Sequence, residues 1–141
     1  VRTSWWRRTG RSAVGCQALA LDPRGHVLLV RHTYGQRAWT LPIGAAEPGE
    51  DPVMTASREL AEETGCTFTA PRLIGTREFT TNGVRHRVHV VAGHAQGTPR
   101  ADLREIAEAG WFAPDALPHP VARGLPDLLA EWIARFEEGR D

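Results

Sequence analysis

The stretch that decides the fold is Gly44-Ala45-Ala46-Glu47-Pro48-Gly49-Glu50-Asp51-Pro52-Val53-Met54-Thr55-Ala56-Ser57-Arg58-Glu59-Leu60-Ala61-Glu62-Glu63-Thr64-Gly65-Cys66. Its first seven residues read as a tight loop, and the rest as one helix. Asp51 suits the N-cap, Pro52 the first helical position, and Gly65 a left-handed C-cap. At about 100° per residue, Val53, Ala56, Ser57, Leu60 and Thr64 share one face, which predicts the buried side. Glu59, Glu62 and Glu63 cluster beside that face at i, i+3 and i+4. Carboxylates that close repel one another by a few tenths of a kcal/mol per pair on an exposed helix. Glu62 and Glu63 also stand near the C-terminal end, where the helix dipole disfavours anions. An acidic helix face is most often simply solvated, yet this one runs against helix electrostatics. A hard divalent cation would reverse the sign of the repulsion, since Mg²⁺ takes carboxylate oxygens at about 2.1 Å and keeps several waters.

Outward from this segment, Ala13 to Leu21 and His26 to His32 read as strands joined by Asp22-Pro23-Arg24-Gly25, a type I turn sequence. Leu73 to Thr81 and Val84 to Ala92 flank Asn82-Gly83, a strong hairpin signal. A final amphipathic helix is expected over 126–138. Leu125, Leu128, Leu129, Trp132, Ile133 and Phe136 form its apolar stripe. Residues 96–110 are polar and read as irregular. Strands interleaved with two helices predict an α/β domain with a mixed sheet between helices.

The acidic segment resembles the Nudix hydrolase signature, GX5EX7REUXEEXGU with U aliphatic. Gly44, Glu50, Arg58, Glu59, Leu60, Glu62, Glu63 and Gly65 fall on consensus positions without a gap, and only the last U departs, as Cys66. Val27 to His32 with Trp39-Thr40-Leu41-Pro42 is similar to the strand and loop before that signature. Glu105-Ile106-Ala107-Glu108 and Trp111-Phe112 are similar to the family's late acidic loop and following strand. The resemblance covers residues 13–138 and implies the Nudix α/β/α sandwich. It also implies hydrolysis of a phosphate anhydride in a nucleoside diphosphate-linked substrate, with Mg²⁺ as cofactor and Mn²⁺ as a substitute. The implied catalytic set is Glu59, Glu62, Arg58 and Glu50, with Arg58 and Glu50 positioning the carboxylates through an ion pair. The implied metal set is Glu59, Glu62, Glu63, the backbone carbonyl of Ile43, where the family often has glycine, and Glu105, preferred over Glu108. Glu59 is a ligand or the base that orients water, and the sequence leaves both open. The substrate leans towards nucleoside di- and triphosphates. A nucleotide-sensing Nudix domain without turnover is the alternative, and an unrelated domain with a solvated acidic helix a third reading.

Composition sets the outer bounds. A chain of 141 residues, 41% hydrophobic and 24% charged, fits one globular domain over 1–141, with 1–12 as a tail. The formal net charge is +0, which argues against partners held by bulk electrostatics, nucleic acid or membrane. All 17 basic residues are arginine, and one or two suit bidentate phosphate contact. Cys16 and Cys66 sit in no metal-ligand pattern and read as small reduced core residues. No stretch has signal-peptide or membrane-spanning character, so a cytoplasmic protein is expected, with a small-molecule diphosphate as partner and room for a homodimer. Opening on Val1 leads us to expect a trimmed start. Trp5, Trp6, Arg7 and Arg8 read as a tail packed on the domain or on a second copy. His86 and His89 alternate to opposite faces of their strand and cannot chelate one ion together. Arg85 and Arg87 read as an outward face. Trp39 and Tyr34 are candidates for packing or for stacking on a base.

Overall fold

The computed structural model describes residues 12–35 and 37–139; the Trp5-Trp6-Arg7-Arg8 tail lies outside them. β1 (Ser12–Leu21) and β2 (Val27–His32) are joined by the expected turn. Asp22 Oδ1 accepts the backbone N–H groups of Arg24 and His26, both at 2.9 Å. Burial alone would raise the Asp22 carboxyl, but these bonds and the Arg24 guanidinium hold it below its ordinary value.

The two strands do not form a full hairpin. They pair only at Leu21↔Val27 and then splay apart. Residues 40–45 fill the wedge. Thr40 exchanges two backbone hydrogen bonds with Val30 at 2.8 and 2.9 Å, and Ala18 N–H donates to the Pro42 carbonyl at 2.9 Å. β3 (Ile43–Ala45) then pairs antiparallel with β1, setting Gln17, Cys16 and Gly15 against Ile43, Gly44 and Ala45. The start of the predicted loop is therefore a strand, because the open flank of β1 needs hydrogen-bond partners.

β4 (Thr69–Thr81) and β5 (Val84–His94) form the predicted hairpin, with Asn82 and Gly83 at φ 54° and 78°, the signs a type I′ turn requires. β5 lies parallel to β1 along all ten residues from Ser12↔Arg85 to Leu21↔His94. β6 (Ile106–Phe112) pairs antiparallel with β2, so the sheet runs β4-β5-β1-β2-β6 with β3 attached to β1. Residues 106–110 are thus strand rather than irregular. Their backbone completes the ladder of β2.

α1 (Pro52–Thr64) keeps its predicted caps: Asp51 Oδ1 accepts the Met54 N–H at 2.8 Å, and Gly65 closes the helix at φ 77°. α2 (Leu125–Glu138) follows Gly124, one residue earlier than the expected start. The helices cover opposite faces of the sheet, as the alternation along β1 shows. Leu19 and Leu21 join Leu125, Leu129, Trp132 and Phe136 in one core cluster. Cys16, Ala18 and Ala20 join Ala56, Leu60 and Cys66 in another. This is the expected α/β/α sandwich. No helix among the described residues is long and apolar enough to cross a membrane.

Candidate active site

α1 meets the wedge where β3 enters the sheet, and the contact is unusually close. A Cβ built on Gly44 would stand 2.0 Å from both Cδ and Oε2 of Glu59. Any side chain at Gly44 would have to displace the Glu59 carboxylate, which occupies the space of its Cβ. The buried face of α1 is accordingly turned from the predicted one. It comprises Thr55, Ala56, Glu59, Leu60, Glu63 and Thr64, while Ser57 is only half-buried. Glu59 and Glu63 are each 2% exposed, whereas Glu62 is open to solvent. Hydrophobic periodicity missed this because it counts glutamate as an outward residue.

Arg58 organises the carboxylates. A guanidinium carries five N–H groups, and here all five are engaged. Nε donates to Glu50 Oε2 at 2.6 Å, and Nη2 to Glu50 Oε1 at 3.0 Å and to the Ala45 carbonyl at 2.9 Å. Nη1 donates to Glu59 Oε2 at 3.0 Å and Glu62 Oε1 at 3.3 Å, with Glu47 within 3.7 Å. The Glu50 contact is the side-on fork that guanidinium and carboxylate favour. The same arginine ties β3, through Ala45, to the helix.

Glu50 is as fully occupied. Besides Arg58 it accepts the Glu47 N–H and the Thr55 hydroxyl, both at 2.9 Å. The hydrogen bonds from Arg58, chief among these effects, lower its carboxyl to about 2 against the opposing effect of burial. Such a group stays ionised at any working pH. Arg58 in turn is held firmly cationic, first by its hydrogen bonds to Glu50. Glu47 and Thr55 belong to this network, and sequence reasoning named neither. Thr55 lies roughly opposite the predicted buried face, so the helical period gave no cue to it.

Ile43 begins β3, opposite Gln17. Glu105 ends the loop before β6. That loop is shaped by Asp102, whose Oδ1 accepts the N–H groups of Arg104, Glu105 and Ile106 at 2.9, 3.1 and 2.9 Å. The Thr33 N–H holds the Glu105 carbonyl at 2.9 Å. Glu108 points instead to Arg31, at 3.2 Å. Asp102 went unnoticed, although an Asp just before a run of free amides is a known turn cue. His86 stacks on Phe79 with centroids 4.9 Å apart, and His89 Nδ1 lies 2.8 Å from the Thr76 hydroxyl. Arg87 pairs with Glu78 at 2.8 Å in an exposed bridge. Trp39 packs edge-on against Phe112 at 4.9 Å beside the core, which gives it a packing role.

Among the described residues, no three His, Cys, Asp or Glu side chains converge closely enough to form a metal cage on their own. Mg²⁺ asks for less, being held by one or two carboxylates with water and substrate phosphate completing the shell. The donors offered are all hard oxygens. The Gly44 cradle keeps Glu59 fixed beside the chain turn, and Glu63, one helical turn on, is buried with it. Two buried carboxylates so placed repel, and a divalent cation offsets the repulsion. The residues fit such an ion.

Comparison with known proteins agrees with this geometry. A NUDIX domain model matches residues 11–136, and the chain belongs to the Nudix family. It is 34% identical over 116 residues to an ADP-ribose pyrophosphatase of Mycobacterium tuberculosis, covering 75% of this chain and 55% of that one. It is 32% identical over 108 residues to the NAD-capped RNA hydrolase NudC of Vibrio vulnificus, covering 76% and 41%. The chain thus spans about half the length of the curated relatives it matches. Among solved structures, a MutT NUDIX hydrolase from Burkholderia pseudomallei superposes with a TM-score of 0.76 at 26% identity, over 88% of this chain and 99% of that one.

Proposed function

We propose that this protein is a divalent-metal-dependent pyrophosphohydrolase, served best by Mg²⁺, that cleaves a phosphate anhydride in a nucleoside diphosphate-linked substrate. The observation that carries the reading is Arg58 committing all five N–H groups to Glu50, Glu59, Glu62 and the Ala45 carbonyl. So many charged groups are not spent on a solvated helix face. Glu59, Glu62 and Glu63 would hold the ion, with the Ile43 carbonyl and Glu105 as outer candidates. Bound there, a divalent cation supplies charge neutralisation of the diphosphate and a more acidic attacking water.

The chain's own residues divide the remaining work. Glu50, kept ionised by its donors, holds Arg58 and takes no proton. Arg58 aims Glu59 and Glu62 and screens their mutual repulsion. Glu59, rigid against Gly44, is placed as ligand or as acceptor of the proton from water. The named activities of the relatives, on ADP-ribose and on NAD-capped RNA, support a nucleotide-linked diphosphate as substrate class. Nucleoside di- and triphosphates belong in the same panel. Full retention of the signature carboxylates weighs against a sensing domain without turnover.

The test is release of phosphate or pyrophosphate, or cleavage to two monophosphates, across such a panel with Mg²⁺ or Mn²⁺. Turnover that disappears in Glu62→Gln/Glu63→Gln supports the reading. Equal turnover by the folded double variant would refute it.

A further inference from the structure

Thr55 falls on one of the seven unspecified positions between Glu50 and Arg58, so the signature gives it no task. It is fully buried, and a buried hydroxyl must find partners. Both partners lie on a line leading to the carboxylates. Thr55 Oγ1 donates to Glu50 Oε1 at 2.9 Å. The Cys16 side chain, on β1, hydrogen-bonds the same hydroxyl. Burial pushes the Cys16 thiol up to about 11, so at neutral pH it is an S–H group. Contacts therefore run from the core strand through Cys16, Thr55, Glu50 and Arg58 to Glu59 and Glu62.

We propose that Thr55 is a positioning residue for the hydrolysis, its hydroxyl anchored by Cys16 and fixing Glu50 so that Arg58 presents Glu59 and Glu62 to metal and substrate. Glu50 Oε1 has three donors: the Glu47 N–H, the Thr55 hydroxyl and Arg58 Nη2. The first belongs to an exposed loop residue and the third to the group being positioned. Only Thr55 ties the carboxylate to the core. Valine at this place keeps the volume and β-branching but removes the donor, and serine keeps the donor. The inference rests on the hydrolase reading, so its test includes a measurement independent of turnover.

Wild type, Thr55→Val, Thr55→Ser and Cys16→Ala are compared by melting temperature, by Mn²⁺ binding without substrate followed by electron paramagnetic resonance, and by kcat and KM taken separately. Loss of a residue that orients metal ligands typically costs 10- to 100-fold in affinity or activity. Thr55→Val is expected to weaken Mn²⁺ binding and lower kcat by about 10-fold, with KM within about twofold of wild type. Thr55→Ser is expected to stay within about threefold on both, and Cys16→Ala to move in the same direction as Thr55→Val by about threefold. Wild-type Mn²⁺ binding and kcat in Thr55→Val, or a Thr55→Ser variant as impaired as Thr55→Val, would overturn the proposal. Should Thr55→Val fail to fold, unchanged Mn²⁺ binding in Cys16→Ala overturns it instead. Should wild type cleave nothing in the panel, the hydrolase reading fails by itself, and the Mn²⁺ titration still decides the role of Thr55.

Discussion

The two helices lie against the same sheet and are close in length, yet they bury opposite chemistry. α2 buries Leu125, Leu129, Trp132 and Phe136. α1 buries Glu59 and Glu63 beside Ala56 and Leu60. Each large side chain on α2 contributes roughly 1.5–3 kcal/mol of hydrophobic stabilisation. A buried carboxylate contributes nothing of the kind, and its desolvation has to be offset by partners. α2 therefore holds the fold together, and α1 maintains a charge arrangement whose use lies in chemistry. The molecule keeps the two tasks on opposite faces, which makes them separable by mutation.

The largest expected effect falls on the α2 side. Trp132→Ala should lower the unfolding free energy by about 3–5 kcal/mol, measured by urea denaturation, while turnover per folded molecule stays at the wild-type level. An equal collapse of turnover in the folded fraction would break the separation. Next comes Gly44→Ala, whose new Cβ would displace the Glu59 carboxylate. A misplacement of about 1 Å at a reacting group costs on the order of 100-fold, so kcat should fall by that much with a smaller change in melting temperature.

A subtler test uses acid. The Glu50 carboxyl stands at about 2 in the folded chain against its ordinary 4.5. Between those values the unfolded chain binds the proton that the folded chain refuses, so stability rises with pH through that window. Its contribution is complete above the unfolded value and is lost as pH falls towards about 2. Glu50→Gln should flatten the slope of unfolding free energy against pH between those limits, and an unchanged slope would show the carboxylate to be unimportant there. The smallest effect sharpens the contrast from outside both helices. Asp22→Asn, in the β1–β2 turn, should cost about 1 kcal/mol and leave metal-dependent turnover alone.

Much of this architecture was legible in the chain. Caps and period placed α1, Asn82-Gly83 placed the long hairpin, and the ungapped signature pointed to the residues that Arg58 gathers. β3 was not legible, since three residues carry no period to detect. Neither was the splaying of β1 from β2, because turn chemistry specifies where a chain reverses and not how far the two strands stay paired. The first residues of β6, Ile106 to Gly110, were read together with the polar stretch before them, and what orders them is the backbone of β2. At the site, the burial of Glu59 and Glu63 and the hydroxyl of Thr55 depend on what the wedge of residues 40–45 brings over the helix. That is tertiary information, absent from any local pattern.

The most direct test of the α1 carboxylates as a metal site is thermal unfolding with and without Mn²⁺, in wild type and in Glu59→Gln/Glu63→Gln. A ligand bound only by the folded state stabilises it by about 2.7 kcal/mol at a hundredfold excess over Kd. Wild type should therefore melt several degrees higher with the ion, and the double variant should melt at the same temperature with and without it. An equal upward shift in both proteins, or no shift in wild type, would contradict the assignment.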